Sequence, residues 1–155
     1  MLTAADFLDP AGRERVAAAI ARAEGATGAE IRVHLEDHIE EDILDHAVFI
    51  FEELNMHRTR WRNGVLICIS VADRAVAIIG DSGINAVVPA GYWTDVLEYL
   101  QGAFRSGRRV DGITEAVRMV GERLAAHFPP GPEDMDELSN EVSLGGRPAG
   151  DVDRP

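Results

Sequence analysis

Hydrophobic and polar positions recur with two different periods along this chain, and the switches between them outline its elements. From Pro10 to Glu24, alanines with Val16 and Ile20 sustain a helical pattern. Asp9 is placed to cap it, Pro10 suits the first helical position and Gly25 can end it. Residues 28–36 change to period two. Ile31, Val33 and Leu35 share one face; Glu30, Arg32, His34 and Glu36 share the other. That alternation predicts a strand with one buried and one exposed face. The acidic run from Glu36 to Asp42 leads into a second helix, with Leu44, Ala47, Val48, Phe51 and Leu54 at helical spacing and Asn55 as terminator. Val65 to Val71 is apolar on both faces, which predicts a central strand. Ala72-Asp73-Arg74 is short enough for a hairpin, and Ala75 to Ile79 reads as the returning strand.

The second half is helical. Gly80-Asp81-Ser82-Gly83-Ile84-Asn85 predicts a loop. After Pro89 a helix carries Trp93, Val96, Leu97, Leu100 and Phe104 on one stripe. Asp111 is placed to cap the last helix, whose stripe is Ile113, Ala116, Val117, Val120 and Leu124, and residues 127–131 stop it. Residues 132–155 are acidic, with several glycines and prolines, and read as a tail. Leu138, Val142 and Leu144 are its apolar anchors, so residues 138–144 are expected to dock and 146–155 to be mobile. The order α, β, α, β, β, α, α makes the first two strands parallel through a right-handed crossover, with a hairpin after them. The expected fold is α/β: a three-layer α/β/α sandwich, a small mixed sheet with helices on both faces, formed by residues 1–131 and followed by the tail 132–155.

Charge narrows the function more than size does. The chain has 155 residues, 46% hydrophobic and 27% charged, ordinary for one globular domain. Its 27 acidic residues outnumber 15 basic ones, a net charge of -12, and every basic residue is arginine. Lacking lysine, it has no Schiff-base amine and no lysine-bearing phosphate loop. The acid excess argues against nucleic acid and suits a divalent cation or a protein partner. One cysteine, Cys68, excludes an intrachain disulfide. No basic, apolar leader opens the chain, and the longest apolar stretch, residues 65–72, is far below the ~20 residues of a membrane helix. A soluble, cytoplasmic protein without membrane insertion is the expectation.

Several motifs do not hold up. Gly80-Asp81-Ser82-Gly83 matches the surroundings of a trypsin-like serine, but the following His127 is in the wrong chain order and the pattern is not all-β. Cys68 and Arg74 have the spacing of a tyrosine-phosphatase loop, yet the residues between them alternate like a strand and no helix follows. The five histidines show no zinc spacing. Asp134-Met135-Asp136 with Asn140 is a fragment of an EF-hand loop, with Ser139 where its glycine belongs.

A geometric candidate remains. Open α/β sheets bind ligands outside the carboxyl ends of their strands. The first strand ends at Glu36-Asp37 and the third at Gly80-Asp81, and these ends share a side if the two strands are parallel. Asp81, Glu36 and Asp37 would then form a carboxylate site for Ca²⁺, a hard cation. The alternative leaves Asp81 as a turn cap and Glu36 solvated.

Three segments, Phe51 to Thr59, Arg62 to Ile67, and Ile79 to Asn85 with Trp93, resemble the TPM domain family. The helix from Gly112 to Phe128-Pro129 and the run Glu137 to Ser143 resemble the tail of its free-standing bacterial members. The resemblance implies an α/β/α sandwich and either calcium binding or a weak acid phosphatase activity. Asp81 is the one site residue it carries over, through Gly-Asp-x-Gly-Ile. Two functions follow as expectations: a calcium-binding or interaction module, or a metal-assisted phosphomonoesterase, with Arg62 or Arg74 as the charge for the phosphoryl oxygens.

Overall fold

The computed structural model describes residues 2–130 and 139–145. A short helix α1 (Ala4–Phe7) precedes α2 (Pro10–Glu24), where the Asp9 side chain accepts from the Gly12 N–H as the sequence suggests. Strand β1 (Glu30–Glu36), helix α3 (Ile43–Glu53), a 3₁₀ turn (Met56–Arg58), β2 (Gly64–Ser70) and β3 (Ala75–Gly80) follow. Then come α4 (Ser82–Asn85), α5 (Thr94–Arg105), α6 (Arg109–His127) and a two-residue strand β4 (Ser143–Leu144). Asn55 ends α3 in the left-handed conformation. Arg108 holds the cap position of α6 instead of Asp111, which sits in its first turn and pairs with Arg15.

The sheet order is β3-β2-β1-β4. β1 and β2 are parallel, β4 is parallel to β1, and β3 is antiparallel to β2. The fold is thus the expected α/β one, with a mixed sheet and β2 inside it. On one face, Ile31, Val33, Leu35, Val65, Ile67, Ile69 and Ile78 form the main core with α2, α5 and α6. On the other, Leu66 and Cys68 pack with Ala47, Ile50, Phe51 and Met56 under α3.

The segment read as a loop at residues 80–85 holds helix α4, and three larger expectations give way. The hairpin reverses β3 relative to β2 and hence to β1, so β1 and β3 do not run parallel; Gly80 lies beside Val65 while Glu36 lies beside Ser70. The polar face of β1 is not solvated: Glu30, His34 and Glu36 are all buried. Helix α3 is rotated from the stripe read in the sequence. Ala47, Ile50 and Phe51 face inward, while Leu44 and Val48 are each 53% exposed.

The tail takes part in the sheet. Ser143 and Leu144 pair with His34 and Leu35, and Val142 and Leu144 pack on the main core. Leu138 and residues 146–155 lie outside the described residues.

Candidate functional site

The face of β1 turned toward α3 carries His34 and Glu36 two residues apart, so both side chains project the same way. Residue 46 of α3 and residue 143 of β4 reach them from either side. His34 Nε2 lies 2.8 Å and His46 Nε2 2.7 Å from the same Glu36 oxygen. His34 Nδ1 lies 2.7 Å from Ser143 Oγ. An ionised carboxylate only accepts, so both Nε2 atoms carry hydrogen. In neutral His34, Nδ1 is then the acceptor and the Ser143 hydroxyl donates to it. If His34 is protonated, the hydroxyl turns to the Val33 carbonyl, 3.3 Å away.

Burial pushes the Glu36 carboxyl up, but hydrogen bonds from His34 and His46 and their charge outweigh it, leaving the pKa below its ordinary value. Burial likewise pulls His46 down, and Glu36 and Glu41 more than reverse this, so its pKa is raised. Glu41, itself exposed, reaches the buried His46 Nδ1 at 3.2 Å, not aligned as a hydrogen bond. Gly145 closes the cluster: a Cβ there would fall on the Glu36 carboxylate, so a larger residue would have to displace that side chain from its histidines. The neighbouring Cys68 thiol is pushed up to about 12 by burial and by Glu36, which removes it as a nucleophile.

The three residues proposed for the cation site do different work. Glu36 is the shared acceptor just described. Asp37 accepts from the Ala4 N–H at 2.6 Å and so ties α1 to the end of β1. Asp81 lies at the opposite end of the sheet, about 20 Å away by the rise of a seven-residue strand. It accepts from Arg62 Nε at 2.6 Å and Nη2 at 2.7 Å, and from the Ser82 N–H, capping α4. One ion with ligands at roughly 2.3–2.6 Å cannot bridge Asp81 to Glu36 or Asp37. The turn-cap reading of Asp81 is the one the geometry supports. The glycines of this segment are required by space, not by backbone freedom. A Cβ on Gly83 would strike the Trp61 and Arg62 carbonyls, and one on Gly80 would strike Ile84.

Asp73, on the hairpin, was not singled out in the sequence. It accepts from Ile39 N at 2.9 Å, from the Ser70 hydroxyl and from His38, pinning the acidic loop to the hairpin. Ser143 and the pairing of His34 with His46 were missed too. Their signal was a histidine on the polar face of a strand, which reads as solvated until another element covers that face. Among the described residues, no three His, Cys, Asp or Glu side chains are placed to hold one metal ion. At the Glu36 cluster, 2.7–2.8 Å separations are hydrogen-bond lengths. Two donors on one zinc at about 2.0 Å would stand about 3.3 Å apart.

Among the described residues, no helix is long and apolar enough to cross a membrane. Residues 2–123 match the family described as the TPM domain. The chain is similar to the NMR structure of the BA42 protein from the psychrophilic bacterium Bizionia argentinensis, with 39% identity, a TM-score of 0.83, and 90% of this chain and 96% of that one covered. It is also similar, at 20% identity and a TM-score of 0.65, to the N-terminal domain of a P. gingivalis protein, with 80% of each chain covered, a likeness of fold alone. No curated protein matches it.

Proposed function

The chain belongs to the TPM domain family, and from that premise we propose that this member is a binding module for a divalent cation, with Ca²⁺ the best-suited ion. The observation that carries the reading is the density of acid at one end of the sheet. Six of the ten residues 36–45 are Asp or Glu and none is arginine. They sit where the parallel strands β1, β2 and β4 all present their carboxyl ends, the usual ligand side of an α/β sheet. Glu40, Glu41 and Asp45 are exposed, and their mutual repulsion would be relieved by a divalent cation. These carboxylates are not gathered into a ready cage, so binding draws the loop inward and takes Glu41 away from His46. Asp81 has no part in it. Titration calorimetry with Ca²⁺ and Mg²⁺ tests the reading, beside Glu40→Gln/Glu41→Gln. A stabilisation of about 2.7 kcal/mol at one hundred times the dissociation constant is expected for the unsubstituted chain. Absence of heat and of any melting shift with Ca²⁺ rejects it.

A second reading, hydrolysis of phosphate monoesters, has one specific observation in its favour. Ser143, His34 and Glu36 stand in the order nucleophile, base and orienting carboxylate. Against it, Arg62 is committed to Asp81, which leaves Arg74 of the hairpin, of the two arginines considered, for a phosphoryl group. A phosphatase assay on the calorimetry sample separates the two. Turnover that disappears in Ser143→Ala supports hydrolysis; turnover unchanged by that substitution excludes this serine.

A further inference from the structure

The last strand before the helical half, β3, forms one edge of the sheet. The Asp81 N–H donates to the Gly64 carbonyl, which fixes the phase of the ladder. Ala75, Ala77 and Ile79 therefore bond toward β2, and Val76 and Ile78 turn their N–H and C=O groups outward. Among the described residues, no backbone group bonds to Val76 or Ile78 on that side. Edge strands are usually protected by charge, proline or a bulge. The sequence Ala-Val-Ala-Ile-Ile-Gly has neither charge nor proline, and its register with β2 is unbroken.

An apolar overhang accompanies this edge. Helix α3 packs over β2 and β3, and its His46 reaches back to Glu36 on β1. Leu44 and Val48 stand two residues to either side of His46, about 160° around the helix from it. They are thereby turned toward the β3 side, and each is 53% exposed.

We infer that β3 is a pairing edge for a second copy of this chain. The two copies join antiparallel through β3 into one continuous sheet, with Leu44 and Val48 of each covered in the contact. Antiparallel pairing of a strand with itself is isologous and closes as a twofold dimer. The register that sets Val76 opposite Ile78 of the partner subunit satisfies both outward pairs. On the α3 side, β3 presents Ala75, Ala77 and the half-buried Ile79, and in this register the small Ala77 sits on the twofold, opposite itself. Between Ala75 and Gly80 there is no acidic group to attract a basic peptide. What fits the edge is an uncharged extended strand, and β3 is one itself. Each copy carries -12, so the dimer forms against long-range repulsion and added salt strengthens it.

Sedimentation between about 1 µM and 1 mM protein tests this. Two variants accompany the unsubstituted chain. Val76→Pro removes an outward donor that no bond inside the chain uses, a position where an edge strand accepts proline. Val48→Glu places a charge in the overhang, far from the core. The expected result is a dimer that weakens at least tenfold in each variant, strengthens with NaCl, and slows amide exchange at Val76 and Ile78 as protein concentration rises. The inference is overturned by a chain that stays monomeric throughout, or by a dimer that Val76→Pro and Val48→Glu leave intact. It is also overturned by an association that salt weakens, which places the contact on a charged surface.

Discussion

Two carboxylates at opposite ends of the sheet, Glu36 and Asp81, are buried to nearly the same degree, 8% and 7% exposed, yet they are held by different partners. Asp81 is gripped by a guanidinium, whose charge is fixed across the accessible pH range, and by a backbone N–H. Glu36 is held by the imidazoles of His34 and His46, and the His46 pKa is raised because Glu36 and Glu41 outweigh its burial. Nearly equal burial thus goes with a lock around a fixed cation at one end and, through His46, a titrating joint at the other. The first fastens α4 to the turn before β2; the second fastens α3 and β4 to β1.

The largest effect should come from breaking the lock sterically. Gly83→Ala drives a methyl into the Trp61 and Arg62 carbonyls, backbone that cannot yield cheaply, and is expected to destabilise by about 3 kcal/mol in denaturant unfolding. Asp81→Ala removes the α4 cap and the Arg62 acceptor, for a loss of about 2 kcal/mol. The slope of its stability between pH 6 and 8 should match that of the unsubstituted protein, because the joint at Glu36 is untouched. A calcium response is expected to survive Asp81→Ala as well.

Breaking the joint should give a smaller loss and a changed pH profile. His46 has a raised pKa, so its contribution is fully present below its ordinary 6.5 and is lost as pH climbs through the higher folded value. Glu36 has a lowered pKa, so its contribution is present above its ordinary 4.5 and is lost as pH falls through the lower folded value. The pair therefore adds most between about pH 4.5 and 6.5. Glu36→Gln is expected to lose about 1–2 kcal/mol in that window and to flatten the decline from pH 6 to 8 in a series of thermal melts. An unaltered slope would assign the pH dependence to other groups. The smallest effect belongs to Val48→Glu, on an exposed position that touches neither end. Its monomer should unfold within about 0.5 kcal/mol of the unsubstituted chain.

Most of the fold was legible in the residues because its signals are local. The alternation of residues 30–36, the doubly apolar run 65–71 and the Asp9-Pro10 cap act through neighbours in the chain, and each lies where the pattern put it. The site was legible only in part. Glu36 was singled out, but as a cation ligand in company with Asp81 or else as a solvated side chain, and the hairpin that the same reading contained already turns β3 away from β1. His34, His46 and Ser143 stand up to 109 residues apart in sequence. No spacing rule connects a strand, a helix and a short strand from the tail.

The sequence by itself determined the four long helices and the three long strands, that the sheet is mixed, and that one segment concentrates acid. Those properties follow from side-chain periodicity and charge, which need no knowledge of what packs against what. Only the tertiary structure decided which carboxylate meets arginine and which meets histidine, which flank of α3 is left in solvent, and that β4 closes over Glu36. These depend on the rotation of a helix and the order of strands. They are set when buried polar groups, which cannot stay unpaired away from water, find partners brought near by the packing of the whole chain.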